Sequence, residues 1–459
     1  MDGNQNNPAP VSAAPKALLS VTDGVFLLVG MVIGAGIFKL PSLVASNTAS
    51  TTEYMLLWVA GGVVSLCGAL VYAELASRFP ETGGEYRFLE RALGPGTAFV
   101  FSWSRMTVIQ TGVIAGVAFI FGEYASQILP LGEKSSAIWA AVLVVALTAL
   151  NIAGTLPTKG LQKIMEAILI AALVLLGLAG LSSGTSPASG AAPAVSGGAG
   201  WGLAMVFVLF TYGGWNEAAY MSGEVHDARR NMTRILITGI VVVTLLYLLV
   251  NLGYVTALGL SGIRDSKAVA VDVMRLVAGD KGAVLVALIV CVSVFTTLNA
   301  AVFTGARTTW AMGRDFGLFR GLGVWKAAGS TPANALLVQG ILTLVLVSAG
   351  AQSRDGFESM VAYTAPVFWT FFFLTGVTLF LFRRRGGEAP AFRVPLYPIV
   401  PVVFCAMCLY MLYSSIGWIR DPAPWAPKFD SMVLSGIIVM LIGIPLYFFS
   451  RRSGRGAAA

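Results

Sequence analysis

The stretch FTYGGWNE, residues 210–217, sets adjacent glycines and a carboxylate, Glu217, in an apolar run. GMVIGAGIFKLP, residues 30–41, breaks a second apolar run at Gly34-Ala35-Gly36. A glycine inside a helix costs roughly 0.8–1.0 kcal/mol against alanine. In lipid, a freed N–H or C=O costs several kcal/mol more unless something polar answers it. At 34–36 unwinding would expose N–H groups at the start of a half-helix, whose positive dipole end favours an anion such as a carboxylate. At 212–215 freed carbonyls and the C-terminal end of the preceding half-helix favour an ammonium group or a sodium ion. A zwitterionic α-amino acid fits between the two. Glycines also let membrane helices pack closely, but two interrupted spans at matching places in two halves of a chain favour a binding site.

Other chemically able residues are few. Glu217 follows the second break directly, and an intramembrane carboxylate is by default a functional candidate. Glu166 stands one turn from Lys163, and Glu74 one turn from Arg78, so each reads first as a local ion pair. His226, the single histidine, falls in a basic loop. Cys67, Cys291, Cys405 and Cys408 lie in apolar runs as small core residues. HExxH and the P-loop pattern are absent, so hydrolytic metal chemistry and ATP-driven pumping lack their motifs. An enzyme is not expected, nor a cofactor, a structural metal or a nucleic-acid partner.

The elements that must hold these residues are membrane spans. Of 459 residues, 56% are hydrophobic and 11% charged, against roughly one-quarter charged in a soluble domain. Twelve apolar stretches of spanning length are expected between residues 22 and 450. With both termini cytoplasmic, 20 of the 30 Lys and Arg fall on the cytoplasmic side and 8 outside, so the net charge of +8 reports orientation. The plasma membrane is the expected location, the inner membrane in a bacterium. Residues 1–20 read as a disordered cytoplasmic tail. A first five-span repeat covers 21–181, a Gly/Ser/Ala/Pro linker 182–200 lies outside, a second five-span repeat covers 201–382, and 383–459 holds spans 11 and 12 and the tail. Five spans is an odd number, so the two repeats must lie inverted.

GMVIGAGIF, YAELASRFPETGGEYRFLERALG (72–94), FTYGGWNE with EVHDARRN, and NAAVFTGARTTWAMGRD (299–315) resemble the motifs of the amino acid–polyamine–organocation (APC) superfamily, particularly its L-type amino acid transporter branch. The resemblance implies an all-α membrane protein of twelve helices, a 5+5 inverted repeat of the leucine-transporter type plus two C-terminal helices. It also implies secondary active transport of α-amino acids, with neutral ones favoured, by alternating access. It assigns Gly34, Ala35, Gly36 and Ile37 to the carboxylate end. Phe210, Tyr212, Gly213 and Trp215 go to the amino end and a gate, with Asn216 and Asn299 near the pocket. Eukaryotic L-type relatives join an accessory subunit through a cysteine between spans three and four. Here that loop, LPLGEKSSA, has none, so no obligatory disulfide-linked subunit is expected. Many sodium-independent members carry a span-five lysine where this chain aligns Leu169. Ser293, Thr296 and Thr297 match the spacing of hydroxyl ligands to Na+ in sodium-coupled transporters of that fold; in a proton-coupled transporter Glu217 or Glu166 would carry H+ instead. Symport and exchange both stay open. So do an amino acid sensor with the same pocket, an exchanger of cationic amino acids or polyamines, and a channel.

Overall fold

A computed structural model describes residues 19–79, 84–154, 159–184, 198–217, 225–325, 331–353, 355–386, 390, 392–420 and 429–455. Among them the chain is helical, with one isolated bridge between Leu19 and Val225 in place of any sheet. The helices are α1 (Val21–Val32), α2 (Gly36–Ser46), α3 (Thr51–Arg78), α4 (Gly84–Leu93), α5 (Pro95–Ser104), α6 (Gln110–Ile128), α7 (Ser135–Ala153) and α8 (Lys159–Ser182). They continue with α9 (Gly198–Thr211), α10 (Ala228–Asp265), α11 (Val269–Asp315), α12 (Ala333–Gly350), α13 (Gly356–Arg385), α14 (Ile399–Arg420) and α15 (Phe429–Arg455). A π-helical turn, Arg105–Ile109, joins α5 to α6 in one spanning unit. Among the described residues nine helices are long and apolar enough to cross a bilayer, ten with the bent pair α1–α2. Glu166–Ser182 and Gly200–Thr211 are shorter apolar helices, with residues outside the described set close to each.

Side chains start several of these helices. Ser20 and Asp23 form a reciprocal capping box on α1. Ser50 caps α3 through the Glu53 N–H, and Asp355 caps α13 through the Glu358 N–H at 3.0 Å. α10 is the hub of one group, packing on α1, α3 and α8, while α6 packs on α7, α11 and α13. Where α10 and α11 pass Gly259 and Gly279, positive φ values of 65° and 67° kink each helix. Apolar side chains of α14 and α15 such as Ile399, Tyr413, Ile438 and Phe448 are exposed, as lipid-facing helices require.

The pair expected between Glu74 and Arg78 forms, but it is not the strongest contact of Glu74. Arg78 stands 3.6 Å from Glu74, but the Arg383 guanidinium grips both carboxylate oxygens at 2.9 and 2.5 Å, and the Val394 N–H adds a third bond at 2.8 Å. A bidentate fork outranks a single long contact, so Glu74 ties α3 to the end of α13. For Glu166, the Lys163 side chain lies outside those described. The Glu166 carboxyl packs against Gly30, where a Cβ would come within 2.4 Å of it.

Candidate substrate site

Both glycine interruptions are real breaks. α1 ends at Val32 and α2 starts at Gly36 with a 50° bend between them. α9 ends at Thr211, residues 212–214 form a turn, and 215–217 a single 3-10 turn. Gly214 takes φ +110°, open to glycine but not to ordinary side chains, and a Cβ there would stand 2.5 Å from the Met31 carbonyl oxygen. Bare backbone is therefore what lets the two breaks touch.

The freed backbone groups have unequal fates. The N–H groups of Ala35, Gly36 and Ile37 have no backbone acceptor among the described residues. They point the start of α2 at whatever fills the break. On the carbonyl side, Tyr247 of α10 answers both breaks with one buried hydroxyl, 2.9 Å from Val32 O and 3.1 Å from Thr211 O. Tyr247 was invisible in the sequence reading. A tyrosine in an apolar helix looks like core, and only the fold brings it between two segments 180 residues apart.

A cavity of about 300 Å³ opens beside these breaks, at the lower end of small-molecule pockets. Gly34, Ala35, Gly36, Phe210, Gly213 and Asn216 line it, as do Glu217, Ser293, Thr296, Thr297 and Leu169. Much of the remaining wall is apolar, with Val113, Val117, Ile120 and Phe357 from α6 and α13. Ile37, Tyr212, Trp215 and Asn299 do not line it. Ile37 and Tyr212 are fully buried, the latter donating to Trp58 O at 3.0 Å. The Trp215 ring packs edge-on against Tyr72. Asn299 accepts from Asn151 at 2.8 Å, one helix layer away. Thr296 spends its hydroxyl on the Ser293 carbonyl of its own helix. The Ser293 hydroxyl is buried with no hydrogen-bond partner among the described residues.

Two ion-pair clusters flank the cavity, both hung on the α5–α6 unit and neither expected from sequence. Toward the α2 end, Lys39 meets Glu123 at 2.9 Å and Asp355 at 2.8 Å, its side chain only 6% exposed. Burial alone would raise the Asp355 carboxyl. The Lys39 ammonium and the N–H groups of Glu358 and Phe357 outweigh it and hold the group below its ordinary value. Tyr124 adds a hydrogen bond to Phe38 O at 2.9 Å. Toward the α1 end, Arg105 reaches both oxygens of Glu217 at 2.9 and 3.1 Å and stands 3.5 Å from Glu85, which accepts from the Tyr72 hydroxyl at 2.6 Å. Arg105 opens the π-helical turn, a distortion that recurs at functional sites. A lysine and an arginine inside apolar spans were the signals in the sequence; their partners were not legible.

A family model described as amino acid permease matches residues 19–446. The b(0,+)-type amino acid transporter 1 of Mus musculus is 29% identical over 439 residues, covering 92% of this chain and 86% of its own. The cystine/glutamate transporter of Homo sapiens is 25% identical over 459 residues, 97% of this chain and 87% of its own. The serine/threonine exchanger SteT of Bacillus subtilis (strain 168) is 26% identical over 429 residues, 92% and 94% respectively.

Proposed function

The chain belongs to the amino acid permease family and is a membrane transporter rather than an enzyme, and on that premise we propose that it carries neutral α-amino acids by alternating access through the cavity between the two breaks. The observation that carries this reading is the contact of two unwound segments with opposite backbone polarity at one cavity. The substrate carboxylate takes the N–H groups of Ala35, Gly36 and Ile37 at the positive end of α2. The ammonium takes carbonyls at the end of α9, near Phe210 and Gly213. The side chain enters the apolar wall at Val113, Val117 and Phe357, which accepts a hydrocarbon and rejects an unpaired charge.

The architecture that goes with this reading is twelve spans in the plasma membrane with both termini cytoplasmic. Residues 21–181 and 201–382 are inverted five-helix repeats, and 383–459 adds two helices. Lys39 with Asp355 then closes the outer side, and Arg105 with Glu217 the inner. Gly36→Val and Gly213→Val should abolish uptake into proteoliposomes while leaving a folded, inserted protein. Wild-type substrate affinity in either variant removes the site. Saturable uptake stimulated by substrate on the opposite face separates a transporter from a sensor or a channel. Activity of the purified chain alone separates it from relatives that need a disulfide-linked subunit.

For coupling, Ser293 and Thr297 with the freed carbonyls offer hard oxygen donors to Na+, and Leu169 brings no competing ammonium to the wall. Uptake should rise with an inward sodium gradient at fixed pH and potential, and Thr297→Ala should remove the rise. Uptake that ignores sodium, follows a proton gradient and is lost in Glu217→Gln gives the coupling role to the carboxylate. Glu166 and Glu217 on the cavity wall favour one second reading, a cationic side chain, which lysine in the substrate panel tests.

A further inference from the structure

Outside the cavity, Phe303, Arg307, Trp310 and Arg314 stand at i, i+4, i+7 and i+11 near the end of α11, on one helical face. The Arg307 guanidinium lies 3.1 Å from the centre of the Phe303 ring and 5.8 Å from that of Trp325. Trp310 and Trp325 meet edge to face at 5.1 Å, and Arg314 sits 5.1 Å over Trp310. A guanidinium has five N–H donors. Among the described residues Arg307 uses one hydrogen bond, Nη1 to the Phe303 carbonyl of its own helix at 3.1 Å, and no carboxylate pairs with it. The indole N–H of Trp310 is buried and also lacks an acceptor there. The adjoining cleft, edged by Asn151 and Thr331, has only about 10 Å³ of free volume, too little for an amino acid.

Arg307 precedes the helix end at Asp315 by eight residues, about 12 Å at 1.5 Å per residue. A cation at that depth calls for a counter-charge, yet the protein brings aromatic faces instead. Tryptophan belongs at the headgroup level of a bilayer, and the planar guanidinium fork matches phosphate oxygens better than any other side chain does. We infer that this stripe binds the phosphodiester headgroup of an anionic phospholipid. Arg307 donates to the phosphate oxygens, Arg314 adds charge, and the rings of Phe303 and Trp325 take the glycerol and upper acyl carbons. Under the proposed orientation the lipid belongs to the cytoplasmic leaflet.

The test uses the purified full chain with phosphatidylglycerol, phosphatidylcholine, inorganic phosphate or water-soluble glycerophosphoglycerol, read by native mass spectrometry and thermal unfolding. Phosphatidylglycerol should stay bound and raise the unfolding temperature more than phosphatidylcholine does. Arg307→Gln should weaken that binding about fivefold, as expected for one basic residue at an anionic surface. Arg307→Lys, which keeps the charge and loses the fork, should fall between, and it carries the test should the glutamine variant not fold. Arg320→Gln, an exposed arginine nearby in the sequence, should match wild type. Equal response to both lipids, or unchanged phosphatidylglycerol binding in the Arg307 variants, overturns the site. An equal shift with inorganic phosphate or glycerophosphoglycerol overturns the lipid assignment in favour of a free anion.

Discussion

The two ion-pair clusters differ in how they can come apart. Lys39 stands between two carboxylates, Glu123 and Asp355, with side-chain exposures of 6%, 16% and 22%. Arg105 also serves two carboxylates, but Glu217 is 36% exposed while Glu85 is 3%. Pulling Lys39 away strands two acids in a dry place. When Glu217 leaves Arg105, water can receive the carboxylate, and Glu85 still faces the guanidinium. The α2 end is therefore the firmer closure, and the α1 end the one nearer to opening.

Breaking the firmer end should have the largest effect. Lys39→Met leaves Glu123 and Asp355 facing each other and should cost about 3–5 kcal/mol of stability, the range for removing one partner of a buried pair. Adding Glu123→Gln and Asp355→Asn should return most of it, as read by thermal unfolding in detergent. A loss under about 1 kcal/mol in the single variant, the range of an exposed pair, would erase the asymmetry.

An intermediate effect is expected at the breaks themselves, where Tyr247→Phe removes one hydroxyl from two carbonyls. It should cost about 1–3 kcal/mol, since a buried acceptor loses its partner, and should weaken substrate binding because both breaks loosen together. Val32 O keeps the Gly34 N–H at 2.8 Å, so Thr211 O bears most of the loss. An affinity equal to wild type would mean the breaks are held by packing alone.

At the looser end Glu217→Gln should cost at most about 1 kcal/mol, because the exposed partner is screened by solvent. A cost matching that of Lys39→Met would reverse the ranking of the two closures.

The smallest effect is pH dependence at Asp355. Its carboxyl titrates below the ordinary value in the folded chain, so its charged form stabilises the fold at pH above the unfolded value, about 3.9. That contribution drains away as pH falls through the lower folded value. The gap in unfolding temperature between wild type and Asp355→Asn should be constant near neutrality and should close below about pH 4. A gap that widens on acidification would contradict the assignment.

The membrane class was legible because apolar runs without charge have few other soluble or membrane solutions. The breaks at 34–36 and 212–214 were legible because glycine inside such a run is locally costly. Six of the ten expected substrate-contact residues line the cavity. Helical periodicity could not place Tyr212, since an unwound segment has no fixed phase, and for Asn299 it could not say which neighbour of α11, the cavity or Asn151, its face would meet.

What the residue pattern determined by itself is local: an apolar helical chain, where its helices must unwind, and which backbone polarity each break exposes. Those follow from helix propensity and from the absence of water to satisfy backbone groups in lipid. Which side chain meets which was decided by tertiary structure. Glu74 stands one turn from Arg78, yet it is gripped by Arg383, 309 residues away. Lys39 finds Glu123 84 residues on. In a low-dielectric interior each charge takes the best-placed partner in space, and distance along the chain carries no information about that.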